Sequence, residues 1–443
     1  MLRLAMVTAE DLPRPDWAVS RGPSMPANAL SALERALLGY IGAHQERLVE
    51  LLATLVRFRT DNPPGGNEGP AQEWMAERLR RLGAQVDVFD VLPGRPDVVG
   101  VLQGSGGGRS LVLNGHIDVA EVRQADAWRH DPFEPVIEGR LLYGRGSSDM
   151  KSARAAYLYV LEALADLGVS LRGDVIVQSV MGEEAAEPGT KAAAERYRAD
   201  FAIVGEATRA RSLVATVGVL SGRITIRSPY TLHLHARRLA LHAGGGLEGA
   251  NAIEKMSLRI IPALADLERE WAVFKRHPLI PPAQTLINVY SIGGGGNPGF
   301  MPDRCWADFV VLYLPGEDRE QVRAEIEEQV RRAAQVDGWL RKYPPAVQWD
   351  GLERGMEWPP ADLDVEHDGV RTLMSVYRQL RGEDLQLGGR GAITDAGWLA
   401  LNGTPAVVYG PGDFYWIHRV DERIDLDDVL AYAQVLGVFL LRW

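Results

Sequence analysis

The stretch Ser110–Asp118, which reads SLVLNGHID, decides the fold. It contains an apolar run that is long enough for a strand, and a histidine and an aspartate follow at the position where that strand would end. Two further strands, Asp174–Val180 and Phe201–Val204, are predicted downstream, with patterns typical of helices between them. Such an alternation predicts an α/β fold, in which a mixed sheet is covered by helices on both faces.

The residues that could carry chemistry gather after these strands. Five motifs place a histidine or a carboxylate there or in a loop that opens a helix: Asn114–Asp118, Gly144–Lys151, Gly182–Glu184, Gly205–Thr208, and Gly410–Asp413 with His418 beyond it. In an open α/β sheet the carboxyl ends of the strands converge on one crevice, where ligands bind. Histidine and carboxylate together suit divalent cations, zinc above all. The pattern therefore predicts a metal site.

A charge count indicates two ions at this site. The predicted ligands are two neutral imidazoles and three carboxylates: His116, His418, Asp149, Glu184 and Glu206. Three anions balance three of the four charges of two divalent ions, and one bridging hydroxide balances the fourth. That hydroxide is the nucleophile that a two-metal hydrolase needs. Asp149 can bridge both ions because a carboxylate has two oxygens.

Two more carboxylates adjoin the predicted ligands. Glu183 precedes Glu184 but is not needed for the charge balance, so we predict that it acts as general base on the bridging water. Asp118 lies two residues beyond His116 and is predicted to hold that imidazole in place.

Each of these residues has a simpler explanation when taken alone. A histidine at a strand end is usually structural, Asp149 could be only a helix N-cap, and Glu183-Glu184 could be a solvated charged pair. Their common order and position favour the metal site. Competing motifs are absent, since the sequence has no G-x-S-x-G and no His-Glu-x-x-His, and no G-x-G-x-x-G follows the first strand.

Composition narrows the classes of function. The chain has 443 residues, 46% of them hydrophobic, which is enough for more than one buried core. Its net charge of −11 argues against nucleic acid as a partner. No segment approaches the roughly 20 apolar residues that span a membrane, and residues 1–30 lack the apolar run of a signal peptide, so a cytoplasmic location is expected. The single cysteine, Cys305, is predicted to be a buried thiol rather than a nucleophile.

The order of the predicted elements suggests one domain inserted into another. The expected units are a flexible leader (1–30), a catalytic domain in two parts (31–212 and 351–443) and an inserted domain (213–350). Within them, residues 31–57 predict one long helix, Gly104–Gly108 predicts a hairpin turn, and Val214–Arg227 predicts two paired strands.

Taken together, the motifs resemble those of the zinc peptidase and deacylase family that includes acetylornithine deacetylase, succinyl-diaminopimelate desuccinylase, aminoacylase and carboxypeptidase G. The resemblance covers about residues 45–440 and rests on Gly115–Val119, Gly146–Lys151, Glu183-Glu184, Gly205–Thr208, Gly249–Ile253, and Gly410–Asp413 with His418. It implies the same five ligands, Glu183 as general base and Asp118 as a support for a ligand. It also implies two zinc ions, which cobalt or manganese could replace, and an inserted lid domain through which two copies form a homodimer.

Three positions depart from the pattern of that family. Ala207 stands where proline is usual, a change that leaves the neighbouring ligand intact. The histidine that the family carries in its lid, where it could stabilise an oxyanion, matches His233 or His235, with His242 as a weaker match. Leu312 occupies a position where many relatives have an arginine that holds a substrate carboxylate.

These features predict a hydrolase that cuts the amide bond of a small molecule, an N-acyl amino acid or a related amide. The alternative is a dipeptidase or a deformylase of a non-amino-acid amide, which Leu312 would favour. A third possibility is a non-catalytic binding protein on the same fold, against which stands the presence of every predicted ligand and of Glu183.

Overall fold

The computed structural model describes residues 30–209, 211–239, 248–349 and 356–443. Its α-helices are α1 (Ala32–Ala43), α2 (Gln45–Arg57), α3 (Gly69–Arg81), α4 (Ser152–Asp166), α5 (Gly189–Arg196), α6 (Ala252–Lys255), α7 (Ile261–Phe274), α8 (Arg319–Gln335), α9 (Asp368–Arg381), α10 (Ala396–Leu401) and α11 (Leu426–Arg442). Its strands are β1 (Asp61–Asn62), β2 (Gln85–Leu92), β3 (Arg95–Leu102), β4 (Leu111–His116), β5 (Val119–Ala120), β6 (Val136–Glu138), β7 (Leu141–Tyr143), β8 (Val175–Val180), β9 (Phe201–Val204), β10 (Ser212–Thr216), β11 (Gly218–Arg227), β12 (Leu286–Gly294), β13 (Arg304–Tyr313), β14 (Ala346–Gln348), β15 (Glu357–Trp358), β16 (Ala361–Asp362), β17 (Leu387–Arg390), β18 (Ala406–Val408) and β19 (Arg423–Asp425).

A nine-stranded mixed sheet forms the larger layer, in the order β16-β10-β18-β9-β4-β8-β3-β2, with β17 paired to β10. The strands β18, β9, β4 and β8 are mutually parallel, so their carboxyl ends share one edge. Leu111 and Leu113 pack with α4 and α11 on one face, whereas Val112 packs with α5 and α10 on the other. Because both faces are covered by helices, β4 is apolar at successive positions rather than alternating. The predicted α/β fold is confirmed.

A second sheet, in the order β12-β13-β11-β14 with β15 paired to β11, has a core of its own. Helices α7 and α8 cover it, and Phe309 and Trp339 lie in the shared core. The chain passes from the first sheet to the second at Val217, the residue between β10 and β11. The domain boundaries predicted at residues 213 and 350, and the role of the second unit as a lid, stay predictions.

Three predicted elements differ from the structure. Residues 31–57 form two helices, since His44 leaves the helical region (φ −115°, ψ 26°). Gly104–Gly108 is not a hairpin turn, because β3 and β4 pair with opposite sides of β8 and not with each other. Val214–Arg227 is not a pair of strands either, because β10 and β11 belong to different sheets.

Other expectations from the sequence concern single features. Cys305 is fully buried in the second core, as predicted, and burial raises the pKa of its thiol. Among the described residues, no helix is long and apolar enough to cross a membrane. The predicted leader, apart from Leu30, and His242 lie outside the described residues. The cytoplasmic location stays a prediction.

Candidate metal centre

His116 is the last residue of β4 and is fully buried. Its Nδ1 donates to the backbone carbonyl of Asp118 at 2.9 Å, which fixes the ring and turns Nε2 toward the end of the sheet. Nε2 lies 3.2 Å from Asp149 Oδ1 and 3.4 Å from Glu206 Oε1. One nitrogen and two carboxylate oxygens thus converge beyond the carboxyl ends of β4 and β9.

Asp149 directs its two oxygens to different histidines. While Oδ1 faces His116, Oδ2 lies 3.1 Å from Nε2 of His418. The turn that carries Asp149 is held by Glu422, whose Oε1 accepts the backbone N–H groups of Ser148 at 2.9 Å and of Asp149 at 3.1 Å. This is the geometry that a carboxylate shared by two cations requires.

A second group of donors forms around His418. Its Nε2 lies 2.8 Å from Glu184 Oε2, and the other oxygen of Glu184 accepts the backbone N–H of Ala120 at 2.9 Å. Glu184 comes from the turn after β8, whereas His418 comes from the loop after β18 and has a positive φ of 58°. The side chain of His418 remains 52% exposed, so this group is open to the solvent.

The donors fall into two sets that share Asp149. In each set the ligand atoms lie within 4.8 Å of one another: His116, Asp149 and Glu206 in the first, and Asp149, Glu184 and His418 in the second. Three protein donors per ion leave coordination positions for water or substrate, as in catalytic zinc sites. Glu206 Oε1 is a buried acceptor without a hydrogen-bond donor among the described residues, which is the state expected of a ligand atom. The residues therefore fit a pair of divalent cations.

The electrostatics of the site agree with that fit. Burial by itself would lower the pKa of both histidines, but the carboxylates around them raise the pKa of His418 to about 11 and that of His116 well above its ordinary value. Burial raises the pKa of Glu184 to about 7 and also raises that of Glu206. These directions reveal an excess of negative charge, which bound cations would compensate.

Glu183 lies next to both donor sets but belongs to neither. No hydrogen bond links its carboxylate to a described residue, and burial raises its pKa well above the ordinary value, although the charge of His116 opposes this. A buried carboxylate without a hydrogen-bond partner among the described residues can receive a proton and release it.

Asp118 supports the site differently from what the sequence suggests. Its carboxylate is 3.6 Å from His116 Nδ1, which bonds to the carbonyl of Asp118 instead. The two carboxylate oxygens accept the backbone N–H groups of Gly182 and Glu184 and the side-chain amide of Asn62, at 2.9, 3.2 and 3.0 Å. Asp118 therefore holds the turn that carries Glu183 and Glu184.

The predicted lid histidines lie apart from the donors. His233 and His235 are exposed, and their ring centroids are 4.4 Å from each other. Neither belongs to a donor set of the described residues. Their assignment to the reaction stays a prediction.

Some residues beside the site were not predicted from the sequence. Asn62 donates to the carboxylate of Asp118, and Glu422 holds the turn that carries Asp149. Burial lowers the pKa of Arg390, which the carboxylates of the site oppose, and burial raises the pKa of the Asp395 carboxyl to about 7. Glu422 follows the His418 motif by only four residues, which is the one sequence signal that could have drawn attention to it.

A sequence model of Peptidase family M20/M25/M40 matches residues 112–442, which contain all five predicted ligands. The chain belongs to this family. Membership makes it a metal-dependent hydrolase of amide bonds, and the family suspected from the motifs is confirmed.

Relatives within the family differ in their reactions. The chain is 39% identical to an N-formyl-4-amino-5-aminomethyl-2-methylpyrimidine deformylase of Halalkalibacterium halodurans, over 94% of this chain and 98% of the relative. It is 40% identical to the deformylase of the same name from Bacillus subtilis, over 90% and 95%. Identity to a succinyl-diaminopimelate desuccinylase of Stenotrophomonas maltophilia is 28%, over 82% and 91%.

Solved structures of the family share the fold. A tripeptidase from Staphylococcus aureus superposes with a TM-score of 0.68 at 17% identity, covering 90% of this chain and 98% of that chain. A dinuclear metal-binding peptidase of the M20 family from Bacillus subtilis gives a TM-score of 0.61 at 14% identity, covering 90% and 98%. At this level of identity the likeness concerns the fold alone.

Proposed function

We propose that this enzyme is a deformylase, which removes the formyl group from an N-formyl aminomethylpyrimidine or a closely related heteroaromatic formamide. The observation that carries the proposal is the identity of 39–40% to two such deformylases across at least 90% of the chain. Identity to the desuccinylase is lower, at 28%.

The surroundings of Leu312 support a substrate without a carboxylate. Leu312 lies on β13 opposite Val219 and packs among apolar side chains that include Ile280 and Trp358. No cationic group therefore stands at the position where many relatives have an arginine. An N-acyl amino acid would lose one charge-assisted contact there, whereas a neutral formamide would lose none.

We infer that the resident metal is zinc, with two ions per chain that cobalt or manganese could replace. His116, Asp149 and Glu206 would hold one ion, and Asp149, Glu184 and His418 the other. Bound there, the ions would act as Lewis acids on the carbonyl and lower the pKa of a bound water.

Glu183 moves the proton in the proposed reaction. Its carboxylate takes a proton from the attacking water and later delivers it to the nitrogen of the leaving amine, so that formate and amine are released. Asp118 keeps Glu183 in reach of the water through its bonds to the backbone of Gly182 and Glu184. A lid histidine, His233 or His235, would donate to the oxyanion once the second sheet closes over the cleft.

The function is tested by incubating zinc-loaded protein with candidate substrates and measuring the amine that is released, together with the formate released from the formamide. The substrates are the N-formyl aminomethylpyrimidine, N-succinyl-diaminopimelate, an N-acetyl amino acid and a dipeptide. We expect kcat/KM for the formamide to exceed each of the others by at least about 100-fold, within the range by which enzymes reject substrates that leave their polar contacts unpaired. Faster hydrolysis of the succinyl or acetyl amino acid would overturn the proposal in favour of an amino-acid deacylase.

We also propose a homodimer that forms through the inserted domain, residues 213–350. Strand β12 is an edge strand, since β13 pairs with one side and no described strand pairs with the other. Its Leu286 and Ile292 are exposed, and an edge strand that carries exposed apolar residues offers a surface on which another chain can pair. Sedimentation equilibrium should give twice the chain mass, and a monomer at all concentrations up to about 100 times the assay concentration would contradict the dimer.

A further inference from the structure

The guanidinium group of Arg390 lies over an aromatic ring in the loop that carries His418. Arg390 is the last residue of β17, and its Cζ is 3.4 Å from the centroid of the Phe414 ring. Phe414 belongs to the loop that also carries His418, and it is 49% exposed. Contact with the ring restricts the position of the half-buried guanidinium.

Arg390 differs from the other buried or half-buried arginines near the site in having no acceptor. Arg145 pairs with Glu422 at 2.6 Å, and Arg95 pairs with Glu187 at 2.6 Å. In the part of the chain that the structure describes, neither a hydrogen bond nor an ion pair reaches the side chain of Arg390, which contacts the Phe414 ring through a cation–π interaction. A guanidinium has five N–H donors in a fixed plane, so this group is equipped to bind acceptor atoms of a ligand.

Arg390 interacts electrostatically with carboxylates of both donor sets and with Glu183. Burial lowers the pKa of Arg390, and the carboxylates of Glu206, Asp149 and Glu183 act in the opposite direction. The group stays charged at neutral pH, because a guanidinium is not deprotonated in proteins. A substrate whose carbonyl lies at the donor sets would thus have its next few atoms beside Arg390.

We propose that Arg390, backed by Phe414, determines specificity by donating in-plane hydrogen bonds to ring nitrogens of a heteroaromatic leaving amine. The inference rests on the proposed deformylase function and adds the contact that selects the amine. A pyrimidine has acceptors in the plane of its ring, and a benzene ring has none, so only the heterocycle can satisfy the N–H groups that the stack presents.

Two formamides of similar size distinguish this role. N-formyl-5-aminomethylpyrimidine bearing the 4-amino and 2-methyl groups has ring acceptors, and N-formylbenzylamine lacks them. In Arg390→Leu we expect kcat/KM for the pyrimidine to fall about 10–100-fold, the usual effect of losing a hydrogen bond to a charged group, while that for the benzylamine changes by less than about threefold. Arg390→Lys should retain part of the preference, because an ammonium donates but has no planar edge.

Binding of the product amine gives a readout that is separate from catalysis. In a Glu183→Gln background, calorimetry should show that Arg390→Leu weakens binding of the aminopyrimidine by a similar factor, with the metal content unchanged. The matched control is Arg109→Leu, because Arg109 also stacks on an aromatic ring, Trp443 at 3.7 Å, but precedes β4 and so lies at the end of that strand opposite His116.

The outcomes separate the two proposals. If the native enzyme releases no formate from either formamide, the deformylase function itself is wrong. If it prefers the pyrimidine and Arg390→Leu keeps that preference, the role of Arg390 is wrong while the function stands. An equal loss of kcat/KM on both formamides would also overturn the role, since Arg390 would then act on the carbonyl that they share. A loss confined to an N-formyl amino acid would overturn it as well, since Arg390 would then bind a carboxylate.

Discussion

Glu422 accepts the backbone N–H of Asp149 at 3.1 Å, although 273 residues separate the two in the chain. The same oxygen accepts the N–H of Ser148, and the other oxygen pairs with Arg145 at 2.6 Å. Glu422 is fully buried, so these bonds are not weakened by solvent. The position of the carboxylate that both donor sets share therefore depends on a residue that binds no metal.

Replacement of Glu422 by glutamine should weaken metal binding without removing a ligand. The amide keeps one acceptor oxygen but loses the charge that faces Arg145, and partners of this kind typically contribute about 10–100-fold to metal affinity or activity. Titration of metal-free protein with zinc would measure the change. Glu366→Gln, which alters an exposed carboxylate paired with Arg371, is the control, and equal zinc affinity in both variants would contradict the role of Glu422.

Glu183→Gln should keep its metals and lose turnover. The glutamine has the same shape but cannot take the proton of the attacking water, and general acid–base groups contribute about 10²–10⁴-fold. Formate release and metal content should be measured on the same preparation. Glu195→Gln, at an exposed position of α5, should behave like the native enzyme. Turnover near the native rate in Glu183→Gln would remove this residue from the mechanism.

The shared carboxylate predicts how metal content responds to substitution. His418→Ala removes a donor from one set only, so we expect about one ion of the two to be lost after dialysis. Asp149→Asn affects both sets and should leave little bound metal. Chelation should abolish the activity of the native enzyme, and zinc should restore it. Elemental analysis that finds no metal in carefully prepared native protein, with no uptake of zinc or cobalt, would rule out the site.

One histidine of the inserted domain should be required for turnover but not for metal binding. Alanine at His233, His235 or His242, one at a time, is expected to identify it through a loss of about 10²–10³-fold in kcat, as for other oxyanion donors. His44→Ala, at an exposed position in the first domain, serves as the control. Three variants that all turn over like the native enzyme would mean that no lid histidine takes part.

The glycines around Gly173 should matter for stability because two backbone segments touch there. A Cβ at Gly173 would lie 1.8 Å from the carbonyl oxygen of Arg109, and one at Gly108 would lie 2.4 Å from the nitrogen of Gly173. Gly173→Ala should lower the free energy of unfolding by about 1–3 kcal/mol, as overpacking usually does. At Gly42, an added Cβ would meet no neighbouring atom within 4 Å, so Gly42→Ala should raise the free energy of unfolding by about 0.5–1 kcal/mol. Urea unfolding measures both, and equal midpoints would refute the prediction.

Local patterns predicted the features that depend on local sequence. The apolar run of β4 and the donors that follow β4, β8, β9 and β18 could be located, because a parallel sheet brings the ends of its strands together. Pairing between distant segments could not be predicted, because the sequence of a strand does not specify which other strand it pairs with. For this reason the interpretation of Gly104–Gly108 as a hairpin turn was wrong, as was that of Val214–Arg227 as paired strands.

The supports of the site were harder to predict than its ligands. Ligands must be histidine or carboxylate, which restricts the candidates, but a backbone N–H can be held by any buried acceptor. Glu422 acts in this way, whereas Asn62 donates its side-chain amide to the carboxylate of Asp118, and no spacing relates either residue to its partner. Asp118 was expected to hold the His116 ring, whereas its carboxylate bonds to the turn after β8, a contact that only the three-dimensional arrangement reveals.

Because of the order of the donors along the chain, the two sets are completed at different times during synthesis. His116, Asp149 and Glu206 all precede the second sheet, whereas His418 follows it. A nascent chain therefore contains one complete set while the strands β11 to β14 are still being made, and it acquires the other only after the first domain resumes. In the second set, Asp149 and Glu184 are synthesised early, and this set stays incomplete until His418 has been added after the inserted segment.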